Sequence, residues 1–415
     1  MVCALKNAKC ELARVCGIAR NTILGLRSTG YRRGVYPRER YVHKLGIIGR
    51  FEDSDLYQRN RVLVNLLREL ASDAVMINTR EETRLQEAGG LVTTSRVSAG
   101  LRDLRAIWSS RKRLASCDTL FVPYPAYTSL ILLRLVGTFR GRRVIADAFL
   151  ELHSTVVEDR GLLPAGSWRA ALLLAFQRLA LRNADCVLID TEEQAQLLRD
   201  RLRVNDERVV AIPVGIDEAQ WFPLPLPATD TIRVIFWGTF IPLHGLEHIF
   251  AAASLLQEQQ ADIQIVILGD GQTADEVGQS FERAKLANLR WERGIHATHK
   301  IRAELAEVHI ALGVFADTDK ASRVIPYKVH QALASNRPVI TRRSPAVSEF
   351  LCEEAGFVGC DPASPADLAR TILELAARLR KGWRPSTRDL YEQHFGNDAL
   401  RARLSAILNE QPVAP

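Results

Sequence analysis

Two trains of short apolar runs, each run followed by a longer helical pattern, constrain this chain more than any other feature. The first train holds "LGIIG" (45–49), "AVMI", "DTLFVP" (118–123), "RRVIADAF" (142–149), "ADCVLID" (184–190) and "RVVAIPVG" (208–215). The second holds "IRVIFWG" (232–238), "IQIVILGDG" (263–271), "LRWERG" (289–294), "HIALGVF" (309–315), "PVIT" (338–341) and "GFVGC" (356–360). Runs this short, apolar throughout and rich in Val and Ile read as strands buried on both faces, with helices as the crossovers, hence parallel sheets. Between the trains lies the proline-rich stretch "DEAQWFPLPLPATDT" (217–231), which reads as a linker. The fold class is therefore α/β, with two Rossmann-like doubly wound domains facing a cleft. The chain divides into a basic extension at 1–44, a first domain at 45–215, a second at 216–397 and a last helical segment at 398–415 with the option of packing back on the first domain. Ligands of such sheets sit at the carboxyl ends of the strands.

Charge is uneven. The chain has 415 residues and a formal net charge of +7. Its first 44 residues hold ten Lys or Arg against two acidic residues, a net of +8, and show no buried pattern. They read as a disordered arm or a membrane-surface anchor. Nucleic acid is not expected as a partner, because no aromatic residues interleave with base-reading groups. Segment 102–113, "RDLRAIWSSRKR", sets five basic residues beside Leu, Ile and Trp, an interfacial pattern. Its alternative is an exposed helix. Seven cysteines, none in a CxxC pair, fit a reducing cytoplasm. No apolar run reaches the roughly 20 residues of a membrane span.

Three loops of the second domain carry chemistry. In "FWGTFIPLHGLEHI", Gly238 ends a strand where a phosphate can approach the backbone, Thr239 adds a hydroxyl and His244 is a candidate cation. In "LGDGQTADEV", Gly269, Gly271 and Ala274 match a loose dinucleotide fingerprint, with Glu292 about twenty residues on. That supports a rival reading, a nicotinamide or flavin enzyme. In "DKASRVIPYKVHQALASNRPVI", Lys320, Arg323 and Lys328 gather at a helix start, where cations are unfavourable unless an anion binds. In the first domain Asp147 ends a strand and His153 lies in the loop beyond it, both able to orient an acceptor or move a proton. Arg59, Asn60 and Arg61 open an early helix. Asp-x-Asp pairs occur at 53–55 and 317–319, but no metal is assigned.

The stretches "AIPVGID" (211–217), "WGTFIPLHGLE" (237–247), "VILGDG" (266–271) and "KASRVIPYKVHQALASNRPVITRRSPAVSEFL" (320–351) resemble the GT-B glycosyltransferases of the large retaining group, family 4. The resemblance covers residues 45–410 and is stronger in the second domain. It implies transfer of a sugar from a nucleotide-sugar donor to an acceptor with retention at the anomeric carbon, without metal or other cofactor. The donor would bind the second domain and a glycan or lipid-linked acceptor the first. Cell-surface polysaccharide or glycolipid synthesis follows as an expectation, in the cytoplasm or on the inner face of a membrane. By the same resemblance Gly238 meets the diphosphate, while Thr239 and His244 stand where the family carries Arg and Lys. Lys320, Arg323 and Lys328 are then the replacement cations, and Gly269 joins the donor-binding set. Gly294 and Ile295 cradle the base. The family's paired acids are placed at Val324 and Gln331, neither of them acidic; Gln331 would hold the ribose by a neutral hydrogen bond. His153 or Asp147 takes the catalytic position of the first domain. A GT-B scaffold without catalysis is the second rival.

Overall fold

A computed structural model describes residues 44–52, 57–79, 96–137, 140–204 and 206–409. The extension at 1–43 and the acidic pair at 53–55 lie outside them. Each apolar run forms a strand. The first sheet comprises β1 (Lys44–Gly49), β2 (Asp73–Asn78), β3 (Thr119–Val122), β4 (Arg143–Asp147), β5 (Cys186–Ile189) and β6 (Val209–Ala211). The second comprises β7 (Ile232–Trp237), β8 (Ile263–Leu268), β9 (Leu289–Glu292), β10 (Ile310–Leu312), β11 (Val339–Arg342) and β12 (Phe357–Cys360). Their orders are β2-β1-β3-β4-β5-β6 and β12-β11-β10-β7-β8-β9, and every pairing is parallel. Strand order reverses between β1 and β3 in one sheet and between β7 and β10 in the other. Those two reversals open the crevices in which doubly wound sheets hold ligands.

Helices cover both faces of each sheet. In the first domain, Leu63 and Leu67 of helix Gln58–Leu70 share one core with Leu400, Leu404, Ile407 and Leu408 of the last helix, Asn397–Asn409. Helices Arg96–Ser109, Tyr127–Val136 and Trp168–Leu181 cover the opposite face through Ile107, Leu130, Leu133, Ala180 and Leu181. The last helix thus begins in the second domain and packs on the first. Helix starts follow from their caps: Ser167, Thr191, Thr318 and Ser364 each accept a hydrogen bond from a free N–H of the turn that follows.

The proline-rich stretch is less free than its composition suggests. Trp221 is buried, and the fully buried Arg337 donates to the carbonyls of Leu224 and Pro225 at 2.7 Å each. Upstream, Arg59 donates to the carbonyls of Ile212 and Pro213 at 2.7 and 2.8 Å. Proline leaves carbonyls without ladder partners, and two arginines collect them. Gly215 lies between these clamps at φ +71°, and a Cβ there would stand 2.9 Å from Val62 and 3.0 Å from Leu400. Only glycine fits at this crossing.

Candidate functional site in the interdomain cleft

The site is built where β7 and β10 diverge. Leaving β7, the chain turns at Gly238, passes the exposed Thr239 and enters a short 3-10 turn, Pro242–His244. Gly238 and Gly269 lie back to back: a Cβ on Gly269 would stand 2.1 Å from the Gly238 carbonyl oxygen. Gly271 bridges Phe240 in the same way. The glycines of the loose fingerprint are therefore spent on packing two loops together. Glu292, the acid of that fingerprint, is engaged by Lys300 and Arg290.

Lys328, in helix Tyr327–Ala334, reaches back over this turn. Its ammonium lies 3.6 Å from the centroid of Phe236 and 3.2 Å from Nε2 of His244. Both residues are buried, at 5% and 6% exposure, and among the described residues no carboxylate pairs with Lys328. Burial pushes the Lys328 amine well below its ordinary value. Burial and the neighbouring lysine likewise keep His244 neutral, and its Nδ1 has no hydrogen-bond partner. A buried amine without a carboxylate partner, set against a glycine turn at a crevice, is able to pair with an incoming anion. Gln331, 8% exposed on the same helix, accepts from Trp237 Nε1 at 3.1 Å. That bond uses one lone pair of its oxygen and leaves the amide protons for other partners.

The other two cations are already engaged across the cleft. Lys320 is 3% exposed and donates to Ser154 Oγ at 3.1 Å. Burial lowers its amine, while Asp190, Glu151 and Asp159 pull the other way. Arg323 pairs with Glu158 at 2.9 Å, and the Arg323 carbonyl accepts from Thr191 Oγ1 at 2.5 Å. Tyr327 accepts from the Arg59 backbone N–H at 2.9 Å and meets Phe149 edge to face. The family's paired acids have seven residues between them. Counted back from Gln331, that reaches Arg323 rather than Val324, which packs with Leu243, Val314 and Ala321. Arg323 is a cation, and the carboxylate facing it, Glu158, comes from the first domain.

The first domain contributes a π-helical turn, Ser154–Asp159, ahead of helix Trp168–Leu181. His153 sits at its start, its side chain largely covered, with Nδ1 3.7 Å from Glu158. Its backbone N–H donates to Gln177 Oε1 at 2.9 Å. Glu151 below it is fully buried. Burial raises its carboxyl, but Arg201 and hydrogen bonds from Gln177 and Ser154 outweigh that and hold it below the usual range. Asp147 occupies a different position from the one expected of an acid–base group. It is fully buried and held by Arg59 Nε and Nη2 at 2.9 to 3.1 Å. Arg59, named in the sequence only for its place at a helix start, turns out to be the partner of Asp147. One residue escaped the sequence reading: Asp190, 6% exposed at the end of β5 with one carboxylate oxygen unpartnered. Burial raises its carboxyl to about 6, against the pull of Lys320 and Arg59. Its signal was its place, a charged residue closing an apolar strand. Ile295, assigned to the base, is 85% exposed on a loop beyond β9.

Residues 59–215 match the model of the glycosyl transferase 4-like domain, and residues 231–378 match that of the glycosyl transferases group 1. The boundary between the two matches falls at the proline-rich stretch. Among solved structures the chain is similar to HepE of Anabaena, determined with UDP and glucose. The identity there is 13% and the TM-score 0.60, over 88% of this chain and 99% of that one. It is similar also to sucrose-phosphate synthase of Thermosynechococcus elongatus, at 14% identity and a TM-score of 0.61, over 88% of this chain and 98% of that one. TarM of S. aureus, determined as a variant with Fondaparinux, alpha-GlcNAc-glycerol and UDP, is similar at 13% identity and a TM-score of 0.53, over 74% of this chain and 59% of that one. At such identities the likeness is one of fold. No curated protein matches the sequence.

Proposed function

We propose, for a chain that belongs to the group 1 glycosyltransferases and has their GT-B fold, that it moves a sugar from a nucleotide-sugar donor to a glycan or lipid-linked acceptor with retention of anomeric configuration. The observation that carries the donor half is Lys328: a buried amine with no carboxylate partner, closed against the Gly238 turn. The donor diphosphate seats there, within reach of Gly238, Thr239 and His244. Lys320 and Arg323 swing from Ser154 and Glu158 onto the phosphate oxygens. Negative charge grows on the leaving diphosphate as the sugar acquires oxocarbenium character, and cations already in place stabilise that state. Gln331 directs an amide proton to the ribose, and the loop at Ile295 covers the base.

Retention without an acid at Arg323 points to attack on the face the diphosphate leaves, with a phosphate oxygen taking the acceptor proton. His153 stands on the acceptor side of the cleft and orients that hydroxyl. Asp147 acts as a positioning residue: it fixes Arg59, whose N–H holds Tyr327 at the domain contact. Assembly of a cell-surface polysaccharide or glycolipid, at the inner face of a membrane, is the setting that suits segment 102–113. No helix among the described residues is long and apolar enough to cross a membrane. Catalysis without a resident metal ion completes the reading.

A thermal-shift screen of UDP-, GDP- and ADP-sugars tests the donor. One of them should raise the melting temperature, and NAD should not. Transfer to acceptor, or donor hydrolysis, should disappear in Lys320→Ala and Arg323→Ala. Protection by a donor with no turnover in the unaltered protein would support a binding scaffold, a reading favoured by the tie between Arg323 and Glu158. Protection by NAD alone would sink both.

A further inference from the structure

Helix Trp168–Leu181 is turned the wrong way round for a core helix. The side facing the first sheet is Ala170, Gln177, Ala180 and Leu181. Gln177 there serves a polar network, donating to Glu151 and accepting from His153. Trp168, Leu172, Ala175 and Leu179 point outward and fall within about 60° of one another at helical spacing. Trp168 is 71% exposed, Leu172 61% and Leu179 62%. Folding alone would place these large apolar groups inside and the alanines outside.

The neighbouring helices share the trait. Leu101 and Trp108 are exposed on Arg96–Ser109, Leu135 on Tyr127–Val136, and Leu162 in the loop before Trp168. Seven of the ten large apolar side chains exposed among the described residues therefore lie in one helical layer and its adjoining loop. The charge of that layer is one-sided. Its helices, with the short Arg111–Leu114, hold nine Lys or Arg and one acidic residue, Asp103, which is buried. Arg111 stacks on Trp108 and Arg169 on Trp168, at 4.5 and 5.5 Å. A second copy of the chain would bring like charge against like charge. An anionic bilayer complements both properties: headgroups take the arginines, and the acyl boundary takes Trp and Leu.

We propose that this layer, centred on helix Trp168–Leu181, is a docking face for an anionic lipid surface. The face begins beside the cleft, since the Arg160 carbonyl accepts from Gln272 of the second domain at 3.3 Å just before Leu162. A lipid-anchored acceptor held in the bilayer would have its head at the cleft mouth. The inference rests on the glycosyltransferase reading for that acceptor alone. The lipid contact is separate from it and wider than segment 102–113.

The test is co-sedimentation of the full chain with vesicles of phosphatidylcholine, and of an equimolar mixture with phosphatidylglycerol, without donor or acceptor. Binding is expected on the anionic vesicles, weaker on the neutral ones and weakened by salt. Leu172→Glu with Leu179→Glu should lower vesicle binding by about tenfold or more, from loss of buried apolar area and added repulsion. Both positions face outward, so circular dichroism and any donor-induced thermal shift should be unchanged. No binding to anionic vesicles, or binding that the double substitution leaves intact, would overturn the proposal. A dimer dispersed by the same substitutions, with no lipid binding, would assign the face to a second copy and overturn it too. Either result would leave the donor reading standing, because donor protection is measured on its own.

Discussion

Lys328 carries the sharpest expectation at the scale of single residues, because its roles in stability and in binding pull apart. Burying the Lys328 amine without a carboxylate partner costs stability whether it is charged or neutral, so Lys328→Met should raise the melting temperature. The same change should weaken nucleotide-sugar binding by roughly tenfold to a hundredfold, as loss of a charge-assisted contact. Burial sets the folded pKa of Lys328 below 10.5, so stability from this group is full above that value and falls as pH drops towards the folded pKa. A bound diphosphate opposes the shift, so the Lys328 pKa should be higher in the complex than in the free protein. Titration calorimetry in two buffers of different ionisation heat, repeated across a pH series, should then show proton uptake over the window between the two values; no uptake at any pH in the series would count against a contact between Lys328 and the phosphate. Glu158 holds Arg323, so Glu158→Gln should free it and tighten donor binding, read as a lower Kd. Asp190 titrates the opposite way. Its folded value near 6 exceeds 3.8, so its contribution is full below 3.8 and lost as pH rises through about 6. Asp190→Asn should flatten the stability profile in that window. Lys320, Lys328 and His244 could be picked out in the sequence because they break a local rule at a helix or strand end. The cross-cleft partners could not: Ser154 lies 166 positions from Lys320 and Glu158 lies 165 positions from Arg323, and no local pattern pairs them.

At the scale of elements, the strands were readable because burial on both faces demands unbroken apolar runs. The helix register was harder. Helix Trp168–Leu181 is apolar nearly all round, so its sequence does not say which side is inward. The π-turn at Ser154–Asp159 was also hidden, since a bond such as Arg160 N–H to the Thr155 carbonyl requires no particular side chain. The last helix makes a measurable claim. Leu404 is buried among first-domain residues, and Leu404→Ala should cost about 2–5 kcal/mol in urea unfolding. A cost below about 1 kcal/mol would mean that the helix contributes little to that core.

At the scale of the whole molecule, two domains could be counted from the repeated alternation and the prolines between. Their mutual seating was not visible, because the contacts join loops from opposite ends of the chain. The chain crosses between the domains twice, and one carboxylate holds both crossings. Glu218 Oε1 accepts from Tyr391 at 3.2 Å and from the backbone of Asn397 at 2.8 Å, while Arg59 and Arg337 fasten the first crossing on either side. Mechanically this is a door with two hinges on one pin. Such a leaf swings but does not slide, and a small angle at the pin becomes a larger gap at the far rim. Glu218→Ala should loosen the pin and shift donor Kd without touching any group that meets the donor. The leverage lies in the frame, so the ease of opening can be tuned there while the chemistry of the rim stays as it is.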